Sequence, residues 1–216
     1  MEVDSEKMRR ESDSFLTSIF ARSMSIRVTP LVAKTSFTPM QVTLFGLFIG
    51  LIAAWQAGKT GWSNYLIAAL LLELSHVLDC IDGELARLTG RGNPFAAALD
   101  PITDRIKDIF IIYAASVQSI NYTIFGWSDS TLFGLAFFTI GFWLLYMYIV
   151  DAYLNPARKK QATNWSKIYI GLYDLFIYGA IAFLVTGLVE YFNLYLLILA
   201  IGGGGFQIVR FKNICQ

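Results

Sequence analysis

Charge is what this chain has least of. Asp, Glu, Lys and Arg make up 15% of it and hydrophobic residues 56%, whereas soluble domains carry about 25% charged residues. That balance excludes a separate water-exposed domain, because too little polar sequence remains between the apolar runs to build one. Cysteine is also scarce: Cys80 and Cys215 are the only two. A disulfide-stapled scaffold is therefore not expected, nor is a metal site of the Cys/His type, and both thiols are read as reduced and structural. An uninterrupted apolar core near the N-terminus is missing as well, since Arg22, Arg27 and Lys34 break it, so a signal peptide is not expected. The net charge of +1 says little about partners, and no nucleic-acid partner is expected.

Long apolar runs are what the chain does have. They recur near residues 42–57, 65–78, 109–117, 132–150, 169–188 and 192–209, and several approach the roughly 20 residues that a bilayer span needs. The expected fold is all-α, an integral membrane bundle of six helices forming a single domain over 1–216, with the bundle at about 38–212. Lys and Arg cluster before the first run, around the second-to-third and fourth-to-fifth connections, and after the last run, while Lys59 alone falls on the other side. This bias places both termini at the cytoplasmic face. Over about 8–33, Phe15, Leu16, Ile19 and Phe20 alternate helically with Arg9, Arg10 and Arg22, which predicts an amphipathic helix lying on the membrane or against the bundle. Gly46 and Gly50 in the first run, and Gly202 to Gly205 in the last, suit close helix packing.

Four carboxylates stand out against this background. Asp79 and Asp82 are three residues apart, and Asp100 and Asp104 four apart, so each pair projects from one face of its helix. Thr89, Gly90, Gly92, Asn93 and Pro94 form a turn-rich link between them, which lets the two helices fold back and brings the carboxylates together. Like charges that close need protons or cations between them, and hard oxygen ligands suit Mg²⁺ or Mn²⁺. Other ionisable residues are less distinctive. His76, one turn before Asp79, is read as a hydrogen-bonded structural histidine. Glu73 and Asp174 fall inside apolar runs, where an ionisable residue is often functional. Asp174, with Tyr169 and Tyr173, is a candidate for lining an acceptor pocket. Arg158, Lys159, Lys160 and Lys167 could hold an acceptor phosphate, or simply mark the cytoplasmic side.

The spacing is more informative than the carboxylates alone. Asp79-x-x-Asp82-Gly83-x-x-Ala86-Arg87, then Asp100-x-x-x-Asp104, resembles the signature of the CDP-alcohol phosphotransferase family. Thr38-Pro39 at the head of the first run is similar too, though Met40 stands where the family often has Asn. The signature departs at Ala96, where the family normally has a second glycine. The resemblance implies a membrane enzyme that transfers a phosphoalcohol group from a CDP-alcohol, such as CDP-diacylglycerol, to a small polar hydroxyl acceptor and releases CMP. It implies metal binding by Asp79, Asp82 and Asp100, with Asp104 activating the acceptor hydroxyl and also touching metal. Gly83, Ala86, Arg87 and Ala96 would form the nucleotide pocket, Gly83 and Ala86 by leaving backbone open and Arg87 by pairing with phosphate. Two ions about 4 Å apart would clamp an in-line displacement. A homodimer is also implied, and the Lys and Arg bias noted above puts the aspartate cluster, hence the active site, at the cytoplasmic face.

Asp-Cys-Ile-Asp-Gly-Glu-Leu-Ala-Arg looks most similar to members acting on inositol or inositol phosphate, whereas Leu99-Asp100-Pro101 looks similar to those using glycerol phosphate. Serine is a further acceptor within the family. A membrane prenyltransferase would also use paired aspartates, but it leaves Gly83, Ala86 and Arg87 without a role. An ion-binding or inactive membrane protein is the non-enzymatic alternative.

Overall fold

The computed structural model describes residues 14–150 and 171–214. Among the described residues the chain is all-α, with eight helices, two single-turn 3-10 segments and no strand. The N-terminal region departs from the expectation of one amphipathic helix over about 8–33. Two helices stand there, α1 (Phe15–Ile19) and α2 (Ala21–Val32), separated at Phe20, whose φ of −93° and ψ of −81° interrupt the helix. Their polarity is also directed inward. Thr17, Arg22, Ser25 and Thr29 are buried against the rest of the protein, while Phe15, Ile19, Phe20, Met24, Val28 and Leu31 face outward.

Six longer helices follow. Thr38 caps α3 (Pro39–Ala57): Gln41 N donates to Thr38 Oγ1 at 3.3 Å, and Thr38 N donates to Gln41 Oε1 at 2.9 Å. This reciprocal pair satisfies donors that a helix start leaves free, and Pro39 needs no such donor at the first position. The next helix, α4 (Trp62–Thr89), stops where Gly90 turns into the left-handed region at φ +66°. Asn93 then restarts the chain as α5 (Pro94–Asn121) by accepting Phe95 N at 2.9 Å. The turn-rich link expected from sequence is therefore four residues long, Gly90 to Asn93. Beyond it come α6 (Asp129–Ile149), α7 (Leu172–Thr186) and α8 (Phe192–Ile214).

Hydrogen bonds between helices show that the six alternate in direction. At one end Thr43 near the start of α3 meets Asp82 late in α4, and Thr17 of α1 meets Asp174 at the start of α7. At the other end Gln118 of α5 donates to Ala57 O at 3.1 Å and accepts Tyr65 OH at 3.0 Å. There too Ser119 donates to Glu190 O at 2.6 Å, and Trp62 Nε1 to Val185 O at 3.1 Å.

Two kinds of packing hold the bundle. Ala53, Ala54, Ala57, Ala68, Ala69, Ala114 and Ala115 bring α3, α4 and α5 close, as small residues do where backbones approach. The half built from α6, α7 and α8 is aromatic. Trp143 stacks on Phe176 at 4.7 Å between centroids, and Phe176 meets Phe192 edge-on at 5.7 Å. By length and composition α3 and α6 can each cross a bilayer, while α7 and the segment Val189–Gly203 are apolar but shorter. Both α4 and α5 are 28 residues long, and each joins an apolar stretch to a carboxylate-bearing one. Large apolar side chains point outward from all of these helices except α7 over most of its length, among them Phe48, Leu70, Phe110, Phe137 and Ile198.

Candidate functional site

The carboxylates converge where α4 ends and α5 begins. One oxygen each from Asp79, Asp82 and Asp100 lies within 4.8 Å of the others. Helix geometry sets this up, since Asp79, Asp82, Gly83 and Ala86 run along one stripe of α4. Helices α4 and α5 each pack on α3 but make only sparse backbone contact with each other, so the acidic groups look across a gap. Asp82 is buried, and Asp79 and Asp100 are half-buried. Thr43 of α3 donates its hydroxyl to Asp82 Oδ2 at 2.5 Å, which fixes one oxygen and leaves the other for a ligand. Three carboxylates held this close repel unless positive charge lies among them. An all-oxygen set of this size fits Mg²⁺ or Mn²⁺ and does not suit a thiophilic metal.

Asp104 sits one turn beyond Asp100, but its carboxylate is engaged differently. Lys107 Nζ lies 2.8 Å from Asp104 Oδ1 and 3.5 Å from Asp79 Oδ1. Arg105 Nη2 is 4.0 Å from the other oxygen of Asp104, and Arg105 Nη1 pairs with Asp108 at 2.9 Å. Buried Asp108 also accepts Trp143 Nε1 at 2.9 Å, which ties α6 to α5 just below the site. The guanidinium of Arg105 lies 5.5 Å from the ring centroid of Tyr173.

Glu84, two residues past Asp82, is fully buried and points away from the carboxylate cluster. It accepts Arg22 Nη1 at 2.6 Å, Ser25 Oγ at 2.5 Å and Thr29 Oγ1 at 2.5 Å, so α2 is fastened to the segment that carries the site. Helix α1 is fastened alongside: Ser14 and Thr17 donate to Asp174 Oδ1 at 2.5 and 2.8 Å, and Thr17 Oγ1 is 3.2 Å from His76 Nε2. His76 is buried against Tyr173 and Tyr178, which matches its reading as a hydrogen-bonded histidine. Asp174 is buried and serves α1 in this arrangement. A narrow cavity about the size of one water lies beneath, lined by Ser75, His76, Lys107, Asp108 and Tyr173 among others. Glu73 is half-buried, and neither of its carboxylate oxygens has a hydrogen-bond partner among the described residues.

The residues expected at a nucleotide pocket, Gly83, Ala86, Arg87 and Ala96, are all half-buried around the same helix ends. Arg158, Lys159, Lys160, Lys167 and Tyr169 lie outside the described residues, as does Cys215, whereas Cys80 is buried. Sequence reasoning missed Lys107, Glu84, Asp108 and Thr43. Lys107 was legible only as one more positive charge near a connection. Its signal was its place three residues after Asp104 on a helix face that also carries buried positions. At Gly50 the reason for a missing side chain is specific: a Cβ there would lie 2.8 Å from Lys107 Cδ and 2.9 Å from Cγ. Gly46 is looser, with Leu78 Cβ at 3.4 Å.

Comparison with known proteins agrees with this geometry. The sequence profile described as CDP-alcohol phosphatidyltransferase matches residues 36–202. An archaetidylinositol phosphate synthase of Pyrococcus horikoshii is 32% identical over 91 residues, 42% of this chain and 47% of that protein. A phosphatidylinositol phosphate synthase of Mycobacteroides abscessus is 30% identical over 121 residues, 54% of this chain and 52% of that protein. A bifunctional IPC transferase and DIPP synthase of Aquifex aeolicus is 29% identical over 123 residues, 56% of this chain but 28% of that protein. The matches thus span about half, or less, of these curated relatives. With the profile covering most of the chain and Asp79, Asp82 and Asp100 converging inside it, the chain belongs to the CDP-alcohol phosphatidyltransferase family.

Proposed function

We propose that this protein transfers a phosphatidyl-type group from a CDP-alcohol lipid to the hydroxyl of inositol phosphate or a related polyol, releasing CMP. The observation that carries the reading is the convergence of Asp79, Asp82 and Asp100 to within 4.8 Å, on a helix stripe that also bears Gly83 and Ala86. Those three carboxylates would hold Mg²⁺ or Mn²⁺, one ion or two. When bound, the metal supplies positive charge for the phosphoryl oxygens and for the departing CMP. Gly83 and Ala86 leave room for the nucleotide to approach the backbone, and the Arg87 fork pairs with phosphate oxygens. Asp104 takes the proton of the acceptor hydroxyl as that oxygen attacks the β-phosphorus. The attacked phosphorus keeps its lipid alcohol and loses CMP, so one phosphoester forms as the diphosphate bond breaks.

The outward apolar surface supports a placement of the substrates relative to the bilayer. In this reading α3 to α8 are six membrane spans in a single domain, with both termini and the carboxylates on the cytoplasmic side. Outward apolar side chains on these helices support burial in lipid. The lipid donor then enters between helices and the water-soluble acceptor arrives from the cytoplasm, with Asp174 and the basic residues Arg158, Lys159 and Lys167 at the acceptor side. Relatives named as phosphatidylinositol phosphate and archaetidylinositol phosphate synthases favour an inositol-type acceptor. The family resemblance adds a second copy of the chain as a partner.

The test is product identification. Purified protein in detergent is supplied with CDP-diacylglycerol, Mn²⁺ and, separately, inositol 1-phosphate, inositol, glycerol 3-phosphate or serine. A phosphatidylinositol phosphate formed with inositol phosphate is the expected result. Product from glycerol 3-phosphate or serine instead would reassign the acceptor.

A further inference from the structure

The gap between α4 and α5 contains a positive charge supplied by the chain itself. Lys107 Nζ bridges Asp104 Oδ1 at 2.8 Å and Asp79 Oδ1 at 3.5 Å. Asp79 belongs also to the three-carboxylate group, and Asp104 lies one turn beyond Asp100. Asp79 and Asp104 are the residues that would hold a second divalent ion beside the first, were one bound.

Lys107 is not placed there by a freely swinging side chain. The residue is 7% exposed, and its methylene stem lies in a notch on α3. A Cβ on Gly50 would meet Cδ and Cγ of Lys107 at 2.8 and 2.9 Å, and Ser75 Oγ at 3.0 Å. Helix packing around this notch therefore confines the stem and directs the ammonium between the carboxylates. An ammonium has three donors and no acceptor, so it pairs with carboxylates and cannot itself ligate a metal. It also repels a cation brought into the same gap, and interior charges feel one another more strongly than they would in water.

We infer that Lys107 takes the place of a second metal ion in the substrate-free protein, leaving a site for one divalent cation on Asp79, Asp82 and Asp100. Lys107 is then a positioning residue, holding Asp104 in place and neutralising it in part, while the metal-ligating group stays with the other three aspartates. This inference rests on the proposed metal site and refines the expectation of two ions.

The experiment counts bound metal. Full-length protein in detergent, without nucleotide, is equilibrated with saturating Mn²⁺, and bound Mn²⁺ per chain is measured by dialysis and elemental analysis. Wild type is expected to hold one ion. Lys107→Met keeps an unbranched stem for the Gly50 notch and removes the charge; it is expected to hold two, with the second lost again when Asp104→Asn is added. Two ions in wild type would overturn the inference while leaving the metal site intact. One ion in a monodisperse Lys107→Met protein would also overturn it. No Mn²⁺ in wild type would remove the metal reading and this inference together.

Discussion

Arg22 of α2 and Glu84 of α4 form an ion pair of 2.6 Å with side chains 8% and 0% exposed. The pair joins the N-terminal region to a point two residues past Asp82, so the helix that packs outside the bundle helps to hold the site inside it. Removing one partner of such a pair leaves the other charge buried, at a cost of about 3–5 kcal/mol. Ser25 and Thr29 would lose the Glu84 carboxylate as an acceptor as well. Glu84→Ala is therefore expected to lower the melting temperature in detergent by about 10 °C. The double variant Arg22→Met with Glu84→Leu should recover most of that loss. A melting curve unchanged by Glu84→Ala would show that the pair does not hold α2.

Thr43 reaches across from α3 to orient Asp82 through its hydroxyl at 2.5 Å. Groups that orient a ligating carboxylate typically matter by about 10–100-fold in metal affinity. Thr43→Val should weaken Mn²⁺ binding within that range, and Thr43→Ser should retain it. Direct titration with Mn²⁺ separates these outcomes.

Gly50 and Gly134 make a matched comparison. A methyl at Gly50 collides with the Lys107 stem, whereas one at Gly134 has no atom of the described residues within 4 Å. Overpacking of this kind costs about 1–3 kcal/mol. Gly50→Ala should lower thermal stability and disturb the Lys107 contact with Asp104, and Gly134→Ala should do neither.

Ala96 stands where the family normally has glycine, half-buried in the first turn of α5. If its methyl crowds the nucleotide, Ala96→Gly should bind CDP more tightly in the presence of Mn²⁺, as read by calorimetry. Unchanged affinity would make the methyl incidental.

Much of this arrangement was legible in one dimension, for reasons that are local. The spacing of Asp79 and Asp82 and the Gly90-to-Pro94 link follow from helix periodicity and turn chemistry, Thr38-Pro39 at the head of the first run came from the resemblance, and the helices begin and end at those places. What stayed hidden depends on partners far apart in the chain. Arg22 reads as a surface charge until Glu84 is found beside it, and Lys107 reads as a topology signal until Gly50 opposes its stem. The inward polarity of α1 and α2 is a case of the same kind. Periodicity revealed two faces there, but Asp174, His76 and Glu84 determine which face is buried. The apolar runs at 65–78 and 109–117 are short because α4 and α5 each continue past the apolar part into the carboxylate segment.

The reaction proposed for these carboxylates is metal-dependent transfer from a CDP-alcohol. It is tested most directly by CMP release from CDP-diacylglycerol and inositol 1-phosphate, comparing wild type with Asp104→Asn at saturating Mn²⁺. Wild type should release CMP only when metal and acceptor are both present. Asp104→Asn should lose about 10²–10⁴-fold in rate while still binding Mn²⁺ through Asp79, Asp82 and Asp100. CMP release that is independent of metal, or an Asp104→Asn rate equal to that of wild type, would contradict the account.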